Sequence, residues 1–155
     1  MKERKIETFV YEGFGFPIKL INCPMKKVFG EWVLDINLSK FQIDILKELI
    51  YKPVPLTGTE LRFIRKFLEL STIDFGKRVG VSHPAVLKWE KEQVNMNPAT
   101  EIYIRLYVLQ QLQAKDKEFR NLYEQISIEN LLKHKNDKKI PLAVKLGYEP
   151  MSLKG

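Results

Sequence analysis

Between Lys5 and Ile36 the apolar residues come in short clusters rich in Phe, Val, Ile, Tyr and Trp, broken by Gly13, Gly15, Pro17, Pro24 and Gly30. Short runs of this kind between turn formers predict strands. The piece YEGFGFP lacks a GK[ST] ending and opens no helix, so it reads as a turn between strands, not a phosphate loop. From Leu38 the rhythm becomes helical. Leu38, Phe41, Ile45, Leu46, Leu49 and Ile50 recur at helical spacing, and the connector KPVPL ends that helix. In TGTELRFIRKFLEL, Thr57 and Glu60 fit the S/T-x-x-E capping box, and Leu61, Ile64 and Leu68 form the apolar stripe. Two short helices follow, TIDFGKRV and HPAVLKWEK, separated by Gly80. Ser71 or Thr72 caps the first and Ser82 the second. The segment ATEIYIRLYVLQQL reads as a helix apolar on more than one side. KDKEFRNLYEQI is a further helix, and SIENLLKH extends it or forms a short turn. The last stretch, HKNDKKIPLAVKLGYEPMSLKG, reads as an extended or flexible tail.

The two short helices carry the most specific pattern. Counting Thr72 as the first position, a helix-turn-helix needs a small fifth residue where the helices cross, and Gly76 stands there. The ninth must turn the chain with positive φ, and it is Gly80. The inward positions must be apolar, and they are Phe75, Val79, Val81, Val86 and Trp89. The same spacing turns His83, Pro84, Leu87, Lys88 and Lys91 outward or to the flank.

Charge supports a polyanionic partner without choosing one. The 155 residues are 45% hydrophobic and 29% charged, with a formal net charge of +7, which suits a globular chain drawn to nucleic acid or an anionic surface. Between Thr57 and Val94, seven basic against five acidic side chains leave only +2. No apolar run reaches the roughly 18 residues needed to span a bilayer, and no apolar signal core follows the charged N-terminus. A cytoplasmic location without a membrane partner is therefore expected. Cys23 is the one cysteine, so an intramolecular disulfide and a paired-cysteine zinc site are both excluded. It reads as a small buried strand residue. No grouping of His, Asp and Glu suits acid–base or metal chemistry, so the expectation is no enzyme, no catalytic residues, no metal and no cofactor.

The stretch LELSTIDFGKRVGVSHPAVLKWEKEQ resembles the helix-turn-helix of the lambda-repressor-like XRE family. It matches the family pattern at Leu70, Ser71, Phe75, Val79, Gly80, Val81, Ser82, Val86, Trp89 and Glu90. The resemblance covers about Thr57 to Leu112. LTGTELRFIRKFLELS is further similar to the MqsA-like subgroup, whose N-terminal domain binds zinc through paired cysteines that this chain lacks. Thr72 stands where the family often has a phosphate-contacting Gln, Gly76 where it usually has Ala, and WEKE where WExG is common.

The resemblance implies a mainly α fold. A small N-terminal strand-plus-helix accessory domain, 1–52, would precede a five-helix lambda-repressor-like DNA-binding domain, 53–112. A C-terminal helical extension, 113–135, and an extended or flexible tail, 136–155, would follow. The implied function is a sequence-specific regulator of transcription that binds double-stranded DNA as a homodimer, with the recognition helix at about 82–91 in the major groove. The expected DNA-contacting set is Thr72, Lys77, Ser82, His83, Pro84, Leu87, Lys88 and Lys91, with Arg62 and Lys66 on the preceding helix. The apolar segment Ala99 to Leu112 would spare a stripe for the second subunit. The alternative expectation is an antitoxin-like protein-binding module that neutralises a partner toxin and also regulates its own gene.

Overall fold

The computed structural model describes residues 3–137 and 140–146. Within them lie seven helices and a four-stranded mixed sheet. They form two compact units, Met1–Glu48 with Pro141–Gly155 and Leu49–Ile140. This corrects the expectation of a mainly α chain centred on a five-helix domain. Helices predominate, but a true sheet organises the first unit, and the second holds six complete helices.

In the sheet unit, β1 (Arg4–Tyr11) pairs antiparallel with β2 (Ile18–Val28), from Arg4↔Lys26 to Tyr11↔Ile18. β3 (Glu31–Leu34) runs antiparallel along the second half of β2. β4 (Leu142–Lys145) runs parallel along the first half, from Ile18↔Leu142 to Ile21↔Lys145. The inward residues of β2 are Ile18 and Leu20, then Cys23 and Met25, so the period of two skips once. A bulge absorbs the skip. The register shifts between Glu7 and Phe9, Asn22 takes φ 57, and its N–H donates to Thr8 Oγ1 at 3.0 Å. Asparagine is among the few residues that enter this left-handed region easily. α1 (Leu38–Ile50) brings Phe41 against the rings of Tyr11 and Phe14, at 5.8 and 5.4 Å.

The segment read as a tail supplies β4. Leu142, Val144 and Leu146 are buried while Ala143 and Lys145 are exposed. An alternation of five residues beside a charged run gives little local signal, and its partner strand lies far away in the chain. Lys138, Lys139 and residues 147–155, also part of that expected tail, lie outside the described residues.

The helical unit contains α2 (Gly58–Phe67), α3 (Thr72–Val79), α4 (His83–Glu90), α5 (Pro98–Gln111), α6 (Asp116–Gln125) and α7 (Ile128–Lys133). Thr57 and Glu60 form the reciprocal capping box at the start of α2. Ser71, Ser82, Asn97 and Ser127 cap α3, α4, α5 and α7 with side-chain oxygens. These caps satisfy N–H groups that no preceding turn can reach.

The core of this unit is not wholly apolar. Arg105 is 0% exposed and donates to the carbonyls of Ile50, Lys52 and Val54 at 2.9, 2.6 and 3.0 Å. Glu101, one turn earlier on α5, lies 3.6 Å from it and accepts the N–H of Leu56. Lys52 pairs with Glu60 at 2.5 Å, and Glu60 also accepts the N–H of Thr57 at 2.8 Å. Desolvation pushes the pKa of Lys52 and of Arg105 down and that of Glu101 up, each opposed by its neighbours of opposite charge. No helix among the described residues is long and apolar enough to cross a membrane.

Cys23 is 0% exposed, and burial, with the Glu7 carboxylate adding to it, pushes its thiol pKa up to about 11. At pH 8 the folded chain should hold about a hundredfold less thiolate than the unfolded chain. A thiol-reactive disulfide reagent should therefore label the native protein at least that much more slowly than the protein in urea. Comparable rates in the two states would contradict a buried Cys23.

Candidate nucleic-acid interface

Three residues join α3 to α4. Gly80 ends α3 at φ 76 and ψ 29, a left-handed conformation that side chains with a Cβ resist. Val81 N–H then donates to Gly76 O at 2.9 Å, and Ser82 begins α4 by accepting the N–H of Ala85 at 3.3 Å. A Cβ on Gly76 would sit 2.7 Å from the carbonyl oxygen of Val81. The small residue is thus required by the backbone of the turn. Beneath the pair, Phe75, Val86 and Trp89 are 1%, 0% and 9% exposed. Val79 and Val81, expected to point inward, are half-buried.

α2 fixes the far end of α4. Arg65 donates through Nε and Nη2 to the two carboxylate oxygens of Glu90, at 2.7 and 3.0 Å, and through Nη1 to Leu70 O at 3.0 Å. A planar guanidinium suits this two-toothed contact, which fixes direction as well as distance. Glu92 accepts the N–H of Gly58, and a Cβ on Gly58 would stand 2.7 Å from Trp89 O. Trp89 therefore fills space below α4, while Glu90 ties it sideways. Arg65 stands in a basic run with Arg62 and Lys66, but its side chain is only 12% exposed and is engaged inside. The adjacent Trp-Glu pair was visible in the sequence. Its arginine partner, 25 residues earlier, was not.

Most of the expected contact set is exposed. Lys77, Ser82, His83, Pro84, Lys88 and Lys91 are exposed, whereas Thr72 and Leu87 are half-buried. Thr72 and His83 come together, with Oγ1 and Nδ1 2.7 Å apart, linking the first turns of α3 and α4. The hydroxyl of Ser82 is already used by its own helix. Arg62 and Lys66 are exposed on α2, one turn apart and outside the two-helix pair. Lys77 and Arg78 share a shallow depression with Gly80 and with Ala99, Thr100 and Tyr103 of α5.

Burial changes the local charge. Between Thr57 and Val94 the exposed cations are Arg62, Lys66, Lys77, Arg78, Lys88 and Lys91, and the exposed carboxylates are Glu69, Asp74 and Glu92. Glu60 and Glu90 are held by Lys52 and Arg65. Among the described residues no group of three or more His, Cys, Asp or Glu side chains could hold a metal ion. No protein-family model matches the sequence, and comparison with curated proteins and with solved structures gave no match.

Two substitutions should show how this element is held. Gly76→Ala should destabilise the protein by about 1–3 kcal/mol through overpacking, outweighing the gain of up to about 1 kcal/mol in helix propensity. Arg65→Ala should remove about 3 kcal/mol or more, because it strands Glu90 in a largely buried site. Urea unfolding at constant slope measures both losses. A Gly76→Ala protein as stable as the parent would mean that the turn can move aside.

Proposed function

We propose that this chain is a sequence-specific double-stranded DNA-binding regulator of transcription, with residues 82–91 entering the major groove. The observation that supports it is the two-helix element: α3, a left-handed Gly80, and α4 seated on Phe75, Val86 and Trp89 with its outer side chains free of the core. A helix of this kind fits the width of the major groove and presents its first turns to base edges, while the preceding helix crosses the backbone.

Each side chain then has a role set by its chemistry. His83 uses Nδ1 on Thr72 and keeps Nε2 for a base edge or phosphate. Lys88 donates to base acceptors and Lys91 lies at the rim. Pro84 and the half-buried Leu87 offer apolar contact to a thymine methyl. Lys77, Arg62 and Lys66 neutralise phosphates. Ser82 aligns the start of α4 through its cap. Six exposed cations against three exposed carboxylates make a modest electrostatic attraction, so shape and base contacts must supply the selectivity. The reading puts the protein's work in the cytoplasm, with the DNA.

Selection of bound sequences from random duplexes, followed by salt titration, tests this. One motif should be enriched. Lys88→Ala and His83→Ala should each relax particular base positions, at about 1–3 kcal/mol per lost contact. Lys77→Ala should weaken all sequences alike and reduce the salt slope by about one unit. If no sequence is enriched and binding ignores salt, the DNA reading fails. A stable complex with a partner protein would then favour the antitoxin-like role instead.

A further inference from the structure

A pocket in the helical unit ends on a charge that the fold does not fully satisfy. Leu56 from the connector, Met96 and Pro98 from the entry to α5, and Leu131 of α7 wall a space of about 90 Å³. Glu101, 2% exposed, marks its inner end, and Lys135, exposed, marks its mouth. Among the described residues, the donors that reach Glu101 are the Leu56 N–H and, at 3.6 Å, Arg105, and both meet Oε1. A carboxylate has roughly four sites for donors, so Oε2 has room for more. Burial, the strongest influence, holds the Glu101 carboxyl above the usual carboxylate range even with Arg105, the Leu56 N–H and Lys52 pulling it down. The carboxylate is thus short of donors, and a buried acceptor in that state gains from any further donor that reaches it.

We infer that this pocket binds a short ω-amino acid, with its ammonium on Glu101, its chain between the apolar walls and its carboxylate beside Lys135. The order of charges favours that ligand. A carboxylate at the inner end calls for a cationic donor, which makes a stronger hydrogen bond to it than a neutral one does. A cation at the mouth calls for an anion at the ligand's other end. An anion alone would meet Glu101 in the interior, and a hydrocarbon would leave it short of donors. An α-amino acid carries both charges on one carbon and cannot set them at opposite ends. Size agrees with the chemistry. An apolar cavity of about 150 Å³ takes benzene, so one of about 90 Å³ takes roughly four non-hydrogen atoms. That is an ammonium with three methylenes, which leaves the carboxylate outside with Lys135. The pocket is defined by the connector, α5 and α7 whether or not α4 meets DNA, so the inference stands apart from the proposed function.

Titration of the full chain with 4-aminobutyrate, followed through its amide resonances, tests it. Binding should saturate with a Kd of about 1 mM, ordinary for so small a ligand. The Leu56 amide, whose N–H shares Glu101 with the ligand, should be among those that move. Butylamine, which lacks the carboxylate, and butyrate, which lacks the ammonium, should each bind at least about tenfold more weakly. Lys135→Glu reverses the charge at the mouth. Because Lys135 is exposed, thermal melting should change little, yet the preference should invert, with 1,4-diaminobutane binding more tightly than 4-aminobutyrate. Met96→Trp should fill the pocket and abolish binding of every probe, and Met96→Leu, close in volume, should retain it. The inference is overturned if 4-aminobutyrate shows no saturable binding up to about 20 mM. It is equally overturned if butylamine and butyrate bind as well as 4-aminobutyrate, or if Lys135→Glu leaves the order of ligands unchanged. None of these results bears on whether random-duplex selection enriches a motif.

Discussion

Arg105 is the constraint on which the helical unit depends. Its fork of donors takes the last carbonyl of α1, Ile50, and those of Lys52 and Val54 in a connector whose prolines, Pro53 and Pro55, keep it from closing into a helix. Glu101 neutralises it and also takes the N–H of Leu56. Lys52, whose carbonyl Arg105 holds, reaches Glu60 in the capping box of α2. The path of the connector and the start of α2 are thereby fixed to α5. Because α2 starts where it does, Gly58 can touch the end of α4 and Arg65 can reach Glu90. Removal of any one ion from such a buried group leaves its partner uncompensated, which makes the arrangement all-or-none.

α4 shows why this matters for a binding surface. Eight residues do not form a stable helix in water unaided. Here the Ser82 cap holds one end, the Arg65–Glu90 pair the other, and Val86 and Trp89 the underside. None of these tasks falls to Pro84 or Lys88, and His83 commits only Nδ1, to Thr72. The division of labour leaves these outer groups exposed while the backbone beneath them stays fixed.

The parts legible in the sequence were those with short-range causes. Thr57 and Glu60 lie three residues apart and form the expected box, and Gly80 takes the left-handed turn. Phe75, Val86 and Trp89 are buried as the spacing required, and Cys23 lies within a strand. The parts that were not legible depend on distant partners. Nothing around Leu142 announces β2, so local patterning understates the sheet. Arg65 resembles its exposed neighbours Arg62 and Lys66 until Glu90 is seen beside it. Glu101 and Arg105 sit in an apolar helix where periodicity counts only apolar residues and is silent about ions that face inward. The free residues of the candidate interface could be named from spacing. The ties that free them could not.

The pairing of β4 with β2 sets an order in time. A chain grows from its amino end, and Ile18 must wait for Leu142, which follows the whole of Leu49–Ile140. Until then the first half of β2 has an open edge, a template for wrong pairing with another strand. The helices can close on one another during that interval, whereas the sheet is completed only by one of the last described segments to be made. The helical unit is in effect a long parenthesis within the sheet, and any delay in closing it prolongs the exposure of that edge.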